Sequence, residues 1–241
     1  MIVAVSMVRD EEDVIGHTLA HMLTQVDHVI IADNLSTDRT RSILNSFAHV
    51  TVVDDPVLAY NQADKMTTLA HQAGDMGATW VVPFDADEAW FLPDLDSLAA
   101  EVVTCRPHVY VPQPSDDPAD PNPITRIQWR IAEPERQHKV CFRYHPSAAL
   151  HMGQHDVNRP GRRVEAGAVR HYQYRTLDQV RRKVTNGTEA YAAADLPSLY
   201  GSHWRDLAAR DDAALEAWWD AYQAQDLIFD PSDKAGVSHG D

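Results

Sequence analysis

The stretch T-W-V-V-P-F-D-A-D-E, residues 79–88, decides how the rest of the chain is read. Six residues from Thr79 to Phe84 form a continuous apolar run with no helical period, and three acids follow within four positions. Such a run reads as a strand covered on both faces, as in a parallel sheet. Working back toward the N-terminus, residues 2–8 (IVAVSMV), 28–32 (HVIIA) and 50–53 (VTVV) repeat the pattern. Helical spacing separates them. Val14, Ile15, Leu19, Met22 and Leu23 place a helix over residues 11–24. Asp38 or Thr37 is positioned to cap a helix running to about Phe47. Met66, Leu69 and Ala70 share one face of a helix over 61–73, ended by Gly74 and Gly77.

This β-α-β-α-β-α-β order predicts an α/β fold: a Rossmann-type, mostly parallel sheet flanked by helices. Ligands of such sheets sit at the carboxyl ends of the strands. Those ends carry Arg9-Asp10-Glu11, Asp33-Asn34, Asp54-Asp55 and Asp85-Ala86-Asp87. Two readings are open for this convergence of acids. They are helix caps and solvated loop ends, or they form a rim that receives a cation or sugar hydroxyls.

Downstream, residues 112–123 hold five prolines and read as a loop. Residues 124–131 and 138–144 read as an antiparallel strand pair extending the sheet. The stretch 145–170 reads as functional loops with short strands near 148–152 and 167–171. A helix over 177–194 starts at Thr176 or Asp178. Another over 203–225 carries Trp204, Leu207, Leu215, Trp218, Trp219 and Tyr222 as a packing face. The residues from Asp230 onward are expected to fray.

The 241 residues are 44% hydrophobic and 24% charged, which excludes disorder as the whole answer. No apolar run approaches the roughly 18 residues of a bilayer span. The opening MIVAVSMV has no basic flank and reads as a strand rather than a signal peptide. Two cysteines, Cys105 and Cys141, make no disulfide framework, so a reducing cytoplasm is expected. Net charge is −15, with 16 acids against 4 bases in residues 1–100. That balance repels a nucleic-acid backbone over most of the surface. The exception is Arg159 to Lys183, where eight cations face only Glu165 and Asp178. This cluster is either a solvated basic face or a landing site for a compact anion such as a diphosphate. A nucleic-acid target stays open through it alone.

Asp85-Ala86-Asp87 is the sharpest chemical signal. Two carboxylates one residue apart, leaving the sheet at its ligand rim, suit one oxygen-seeking cation such as Mg²⁺ or Mn²⁺. A cation held there would stabilise charge on a departing diphosphate.

In VAVSMVRDEEDVI, VDHVIIADNLSTDRT, YNQADKM and VVPFDADEAWF the chain resembles the family 2-like glycosyltransferases with the GT-A fold. The resemblance covers residues 1–105 and, more loosely, 138–185. It implies a GT-A-like catalytic domain over 1–200, with a nucleotide-binding half (1–105) and an acceptor and metal half (106–200). Residues 201–241 would be a helical extension and tail. It further implies that Arg9, Glu11, Asp33, Asn34 and Lys65 surround a nucleotide-sugar, with a UDP-sugar favoured. Asp85 and Asp87 match the metal and donor-sugar motif, with Asp87 the more direct ligand and Glu88 beside it. Gly153-Gln154-His155-Asp156-Val157 and His171-Tyr172 resemble segments that supply a histidine ligand, so His155 and His171 compete for the metal. A histidine in the set tilts the ion toward Mn²⁺. Arg175 and Lys183 would reach the diphosphate. An inverting transfer to an acceptor hydroxyl, of an acceptor the sequence does not name, needs a carboxylate base. Asp156 is the candidate, with Glu165 and Asp116 behind it and Glu88 as a further catalytic carboxylate. The alternatives are a nucleotide-sugar or carbohydrate-binding protein without turnover, and a sugar-phosphate nucleotidyltransferase. The latter should show a glycine-rich loop after the first strand, which SMVRDEED lacks. The missing G-x-G-x-x-G also disfavours a dinucleotide-dependent dehydrogenase.

Overall fold

In a computed structural model, which describes residues 1–194 and 200–231, the first four apolar runs are strands: β1 (Ile2–Val8), β2 (His28–Asp33), β3 (Val50–Asp54) and β4 (Trp80–Pro83). They are joined through helices α1 (Ile15–Met22), α2 (Thr40–Leu44) and α3 (Gln62–Asp75). Then come β5 (Glu88–Phe91), β6 (Val102–Cys105), β7 (Pro107–Val109), α4 (Pro123–Arg126), β8 (Trp129–Ile131) and β9 (Lys139–Arg143). A short 3₁₀ turn (Met152–Gln154), β10 (Arg163–Glu165) and β11 (Ala168–His171) lead into α5 (Leu177–Ala192), α6 (Ser202–Ala208), α7 (Asp212–Gln223) and β12 (Leu227–Phe229).

The central sheet has seven strands in the order β10-β6-β9-β4-β1-β2-β3. It is mostly parallel: β1 pairs in parallel with both β2 and β4, β2 with β3, and β10 with β6. Strand β9 runs against its neighbours β4 and β6. Pleating sends alternate β1 residues to opposite faces. Val3 and Val5 pack with Met66, Leu69 and Ala73 of α3, while Ala4 and Val8 pack with Leu19 and Met22 of α1 and Leu44 of α2. Both faces are therefore dry, as the unbroken apolar runs require.

Several expectations need correction. Helix α1 begins at Ile15 rather than Glu11: Val14 sits at φ −131°, outside the helical region, and the preceding Glu11 and Asp13 direct their carboxylates to Arg175. Residues 124–131 split into α4, capped by Asn122, and β8. Strand β8 pairs with β12, not with β9. The strand expected near 148–152 is reduced to a single antiparallel bridge from Leu150 to Val157, and it runs into a 3₁₀ turn where Gly153 and Gln154 adopt positive φ of 72° and 57°. At Gly153 a Cβ would lie 2.3 Å from the His155 ring, so glycine is required there on two counts. The helix over 203–225 is two helices, with Asp211 capping the second through Ala214 N at 2.8 Å. Its aromatic residues do form a packing face. Tyr174 meets Trp218 and Tyr222 edge-on, each at 5.3 Å between centroids, over Val180, Val184 and Leu207. Strands β5, β6 and β7 were not anticipated. They are short, and β5 follows the acidic turn directly.

The chain does not fray at Asp230. Its carboxylate accepts hydrogen bonds from Tyr110 Oη (2.8 Å) and Arg130 Nε (2.7 Å), locking β12 onto β8. The rest of the expected tail, residues 232–241, lies outside the described residues. Among the described residues no helix is long and apolar enough to cross a membrane.

Replacing Asp230 with Ala should cost about 1–3 kcal/mol in urea unfolding at pH 7, since it strands the buried Tyr110 hydroxyl and the Arg130 guanidinium. Burial raises the Asp230 carboxyl, but Tyr110 and Arg130 overcome it and hold the group below its usual value. The contribution is thus present above the unfolded carboxylate value of about 4. It is lost as pH falls through the lower folded value, so the gap between wild type and variant should close in acid.

Candidate active site

A cleft of about 1090 Å³ opens at the carboxyl ends of β1, β2 and β4. Its floor is the turn that follows β4. Here Asp85 O accepts from Glu88 N (3.0 Å), Ala86 O from Thr18 Oγ1 (2.6 Å) and Asp87 O from Tyr172 N (2.8 Å). These bonds fix the backbone of Asp85-Ala86-Asp87 from three sides and leave the two acidic side chains to the cleft.

The carboxylates do not stand alone. Because β9 is antiparallel to β4, its first residue, Lys139, arrives at the rim where β4 ends. The Lys139 ammonium lies 2.6 Å from Asp85 Oδ2 and 2.7 Å from Glu88 Oε1, with 4% of its side chain exposed. Burial pushes the Asp85 carboxyl up, but Lys139 brings it below its usual value; for Glu88 burial wins and the group is raised. Gln154, held in its left-handed conformation, donates from Nε2 to Asp85 Oδ1 at 3.0 Å.

Asp87 is 2% exposed and faces a lysine, an arginine and a histidine. Lys183 on α5 donates to its Oδ2, Arg175 Nη1 lies 3.6 Å from the same oxygen, and His171 Nε2 lies 3.7 Å from Oδ1. Burial opposes the Asp87 charge, yet Lys183, His171 and Arg175 hold the carboxyl well below the ordinary range. His171 Nδ1 lies 2.6 Å from Glu135 Oε1 and must donate, because the ionised carboxylate only accepts. Burial pushes the imidazole down, but Glu135 and Asp87 raise it overall.

The structure brings Arg9, Glu11, Asn34, Asp85, Asp87, His155, Asp156, His171 and Lys183 to the cleft wall. Four expected residues sit elsewhere. Glu88 is fully buried and braces Lys139 from below. Arg175 is likewise buried, behind the wall. Its guanidinium forks onto Asp13 (2.7 and 2.9 Å) and reaches Glu11 (2.5 Å) and Tyr172 O (3.0 Å). Asp33 faces Arg41 at 3.4 Å and accepts from Ser36 N. Lys65 pairs with Asp55 at 2.6 Å. Asp156 is on the wall but paired to Arg163 at 2.7 Å, and burial is outweighed by that arginine and by Val157 N, which lower its carboxyl. The basic run from Arg159 to Lys183 is not one basic face, since Arg163, Arg175, Arg181 and Lys183 all answer acids.

Lys139, Glu135, Asp10, Asp13 and Gln154 were not assigned site roles from sequence. Asp10 accepts from Thr37 N (2.6 Å) and Asn186 Nδ2 (2.8 Å), tying the turn after β2 to α5. Its place in the acid run after β1 was an available signal. Lys139 and Glu135 carried none, because their positions depend on strand order. Arg9 binds Glu189 through Nη2 (3.1 Å), and among the described residues nothing accepts from its Nε or Nη1. These two nitrogens carry three N–H groups, which are suited to oxygens of a ligand.

Among the described residues, no three His, Cys, Asp or Glu side chains are grouped to hold a metal ion. The donor chemistry nonetheless suits a divalent cation with two protein ligands. Asp87 Oδ1 and His171 Nε2 face each other, and Glu135 supports the far ring nitrogen as an outer carboxylate does behind a ligating histidine. Magnesium-like ions commonly take few protein ligands and complete their shell from water and substrate phosphates. His155, the competing histidine, has its Nδ1 2.9 Å from His138 O.

A model of the family described as glycosyl transferase family 2 matches residues 4–183. No curated protein matches the chain. Among solved structures, residues 1–349 of TarS from S. aureus are 14% identical over 84% of this chain and 68% of that chain, with a TM-score of 0.46. The same fragment in complex with UDP is 13% identical over 84% and 69%, with a TM-score of 0.46. A further structure of S. aureus TarS is 13% identical over 85% of this chain and 42% of that chain, with a TM-score of 0.45.

Lys139→Met should destabilise the protein by about 3–5 kcal/mol in denaturant unfolding, because Glu88 and Asp85 lose the cation they share. Adding Glu88→Gln to that variant should recover part of the loss. An additive double mutant would show that the two groups are not coupled.

Proposed function

The chain belongs to glycosyl transferase family 2, and on that premise we propose that it moves a sugar from a nucleotide-diphosphate sugar to an acceptor hydroxyl, with a divalent cation at Asp87 and inversion at the anomeric carbon. One observation carries this reading. At the strand ends where such a sheet binds ligands, Asp87 and His171 face one another, with Lys183 and Arg9 on the same cleft wall.

The roles follow from the side chains. Arg9 offers the N–H groups of its Nε and Nη1, unmatched among the described residues, to nucleotide or phosphate oxygens. Asn34 is held by bonds to Asp55 and Val57 O and shapes the wall beside it. Asp85, 30% exposed and anchored by Lys139 and Gln154, is the acid suited to sugar hydroxyls. Lys183 is the mobile cation for the diphosphate. Asp87 and His171 would hold Mn²⁺ or Mg²⁺, which when bound would neutralise charge on the leaving diphosphate. Asp156 is the proposed acceptor of the hydroxyl proton, once Arg163 releases it. Positioning and charge neutralisation supply most of the acceleration in such a site. The free, buried Cys105 and Cys141 fit a reducing compartment such as the cytoplasm.

A thermal-shift screen of UDP, GDP, CDP and TDP with and without Mn²⁺ should single out one diphosphate whose stabilisation is larger with the ion. In Asp87→Ala the ion's contribution should vanish, and donor turnover should fall with it. Unchanged turnover in that variant would refute the metal role. Asp156→Asn should lower transfer by about 10²–10⁴-fold while leaving donor binding intact. An unaffected rate would pass the proton-accepting role to another cleft carboxylate, Glu135.

A further inference from the structure

Asp87 cannot accept a divalent cation in the arrangement described without losing a partner. Its oxygens already face Lys183, Arg175 and His171, and its side chain is 2% exposed. The three partners differ in their freedom to leave. Arg175 is fully buried and tied to Asp13, Glu11 and the carbonyl of Tyr172. Moving it would strand two carboxylates. His171 is anchored through Glu135 and presents the ring nitrogen that a metal would use. Lys183 lines the open cleft, 19% exposed, at the end of a flexible four-carbon stem on α5. Its other acidic neighbour, Glu11 Oε1 at 3.4 Å, is already bonded to Arg175 through its second oxygen.

We propose that Lys183 is a resident cation that competes with the divalent metal for Asp87, so that the metal seats as Lys183 swings off the carboxylate toward the anionic donor. This rests on the reading that Asp87 receives a metal, and it adds an order to that event. Without a donor, Lys183 keeps Asp87 neutralised and metal binding is weak. A diphosphate in the cleft gives the displaced ammonium a new anion, so donor and metal strengthen each other's binding by the same factor. The site thereby avoids an uncompensated buried carboxylate at every stage.

The test is titration of the full chain with Mn²⁺ alone, reading free ion by electron paramagnetic resonance. The proteins are wild type, Lys183→Met, Lys183→Gln, Arg181→Gln and Asp87→Asn, each checked for a native circular-dichroism melt. Arg181 sits on the same helix, against Asp178 at 2.8 Å, and removes the same charge without touching Asp87. Both Lys183 variants should bind Mn²⁺ at least tenfold more tightly than wild type, and Arg181→Gln less than twofold. Equal or weaker binding in the Lys183 variants overturns the competition while leaving the metal site standing. An equal gain in Arg181→Gln also overturns it, because the effect would then be general charge. Mn²⁺ binding that is unchanged in Asp87→Asn, or absent from every protein, removes the metal reading itself and the proposal with it.

Discussion

Burying the acidic turn after β4 is possible only because cations meet it from two separate directions. An ionised carboxylate taken out of water costs several kcal/mol unless it is paired and hydrogen-bonded. Asp85 and Glu88 share the ammonium of Lys139, while Asp87 takes Lys183 with Arg175 and His171 behind it. Lys139 begins β9 and Lys183 lies on α5, 44 residues apart in sequence (183 − 139). The two halves of the chain are therefore joined at the acidic turn by charge as well as by apolar packing. The antiparallel setting of β9 is what permits the first of these contacts. A parallel strand in that place would put its first residue at the opposite rim.

The same pairing accounts for what could and could not be read from the sequence. Four apolar runs and their helices were legible because a doubly covered parallel strand has a distinctive composition. The rim that collects Arg9, Asn34, Asp85 and Asp87 followed from topology alone. The partners of those residues did not. Lys139 opens an ordinary-looking KVCFR strand, and its meeting with Asp85 depends on β9 being inserted between β4 and β6. Glu135 lies in the polar stretch EPERQH, where nothing distinguishes it from a solvated loop acid. Arg175 reads as an anion-binding residue from the basic run around it and from the resemblance of its segment. In space its neighbours are Glu11 and Asp13, 164 and 162 residues away.

Local backbone geometry was hidden for a different reason. The stretch A-L-H-M alternates enough to read as a strand, but two successive left-handed residues, Gly153 and Gln154, turn it into a loop. A buried non-glycine residue at positive φ stores strain, which the surrounding contacts must support. Here Gln62 Oε1 accepts from Gly153 N at 2.8 Å, and Gln154 reaches Asp85. The unfavourable conformation coincides with the orientation of Asp85, the acid we propose for the sugar hydroxyls.

The balance of charge in the cleft also bears on why the site uses lysine and arginine in different places. Arg175 is the planar fork that satisfies two carboxylates and a carbonyl at once, and it is wholly enclosed. Such a group is a structural centre, and replacing its several bonds during a reaction would be costly. Lys183 and Lys139 are point charges on flexible stems and both border the cleft, but Lys183 is 19% exposed and Lys139 only 4%. Lys139 is shut between Asp85 and Glu88 and cannot leave without stranding the fully buried Glu88 carboxylate. Of the three cations, exposure and bond count therefore assign movement to Lys183, support of the acidic turn to Lys139, and rigidity of the cleft's back wall to Arg175.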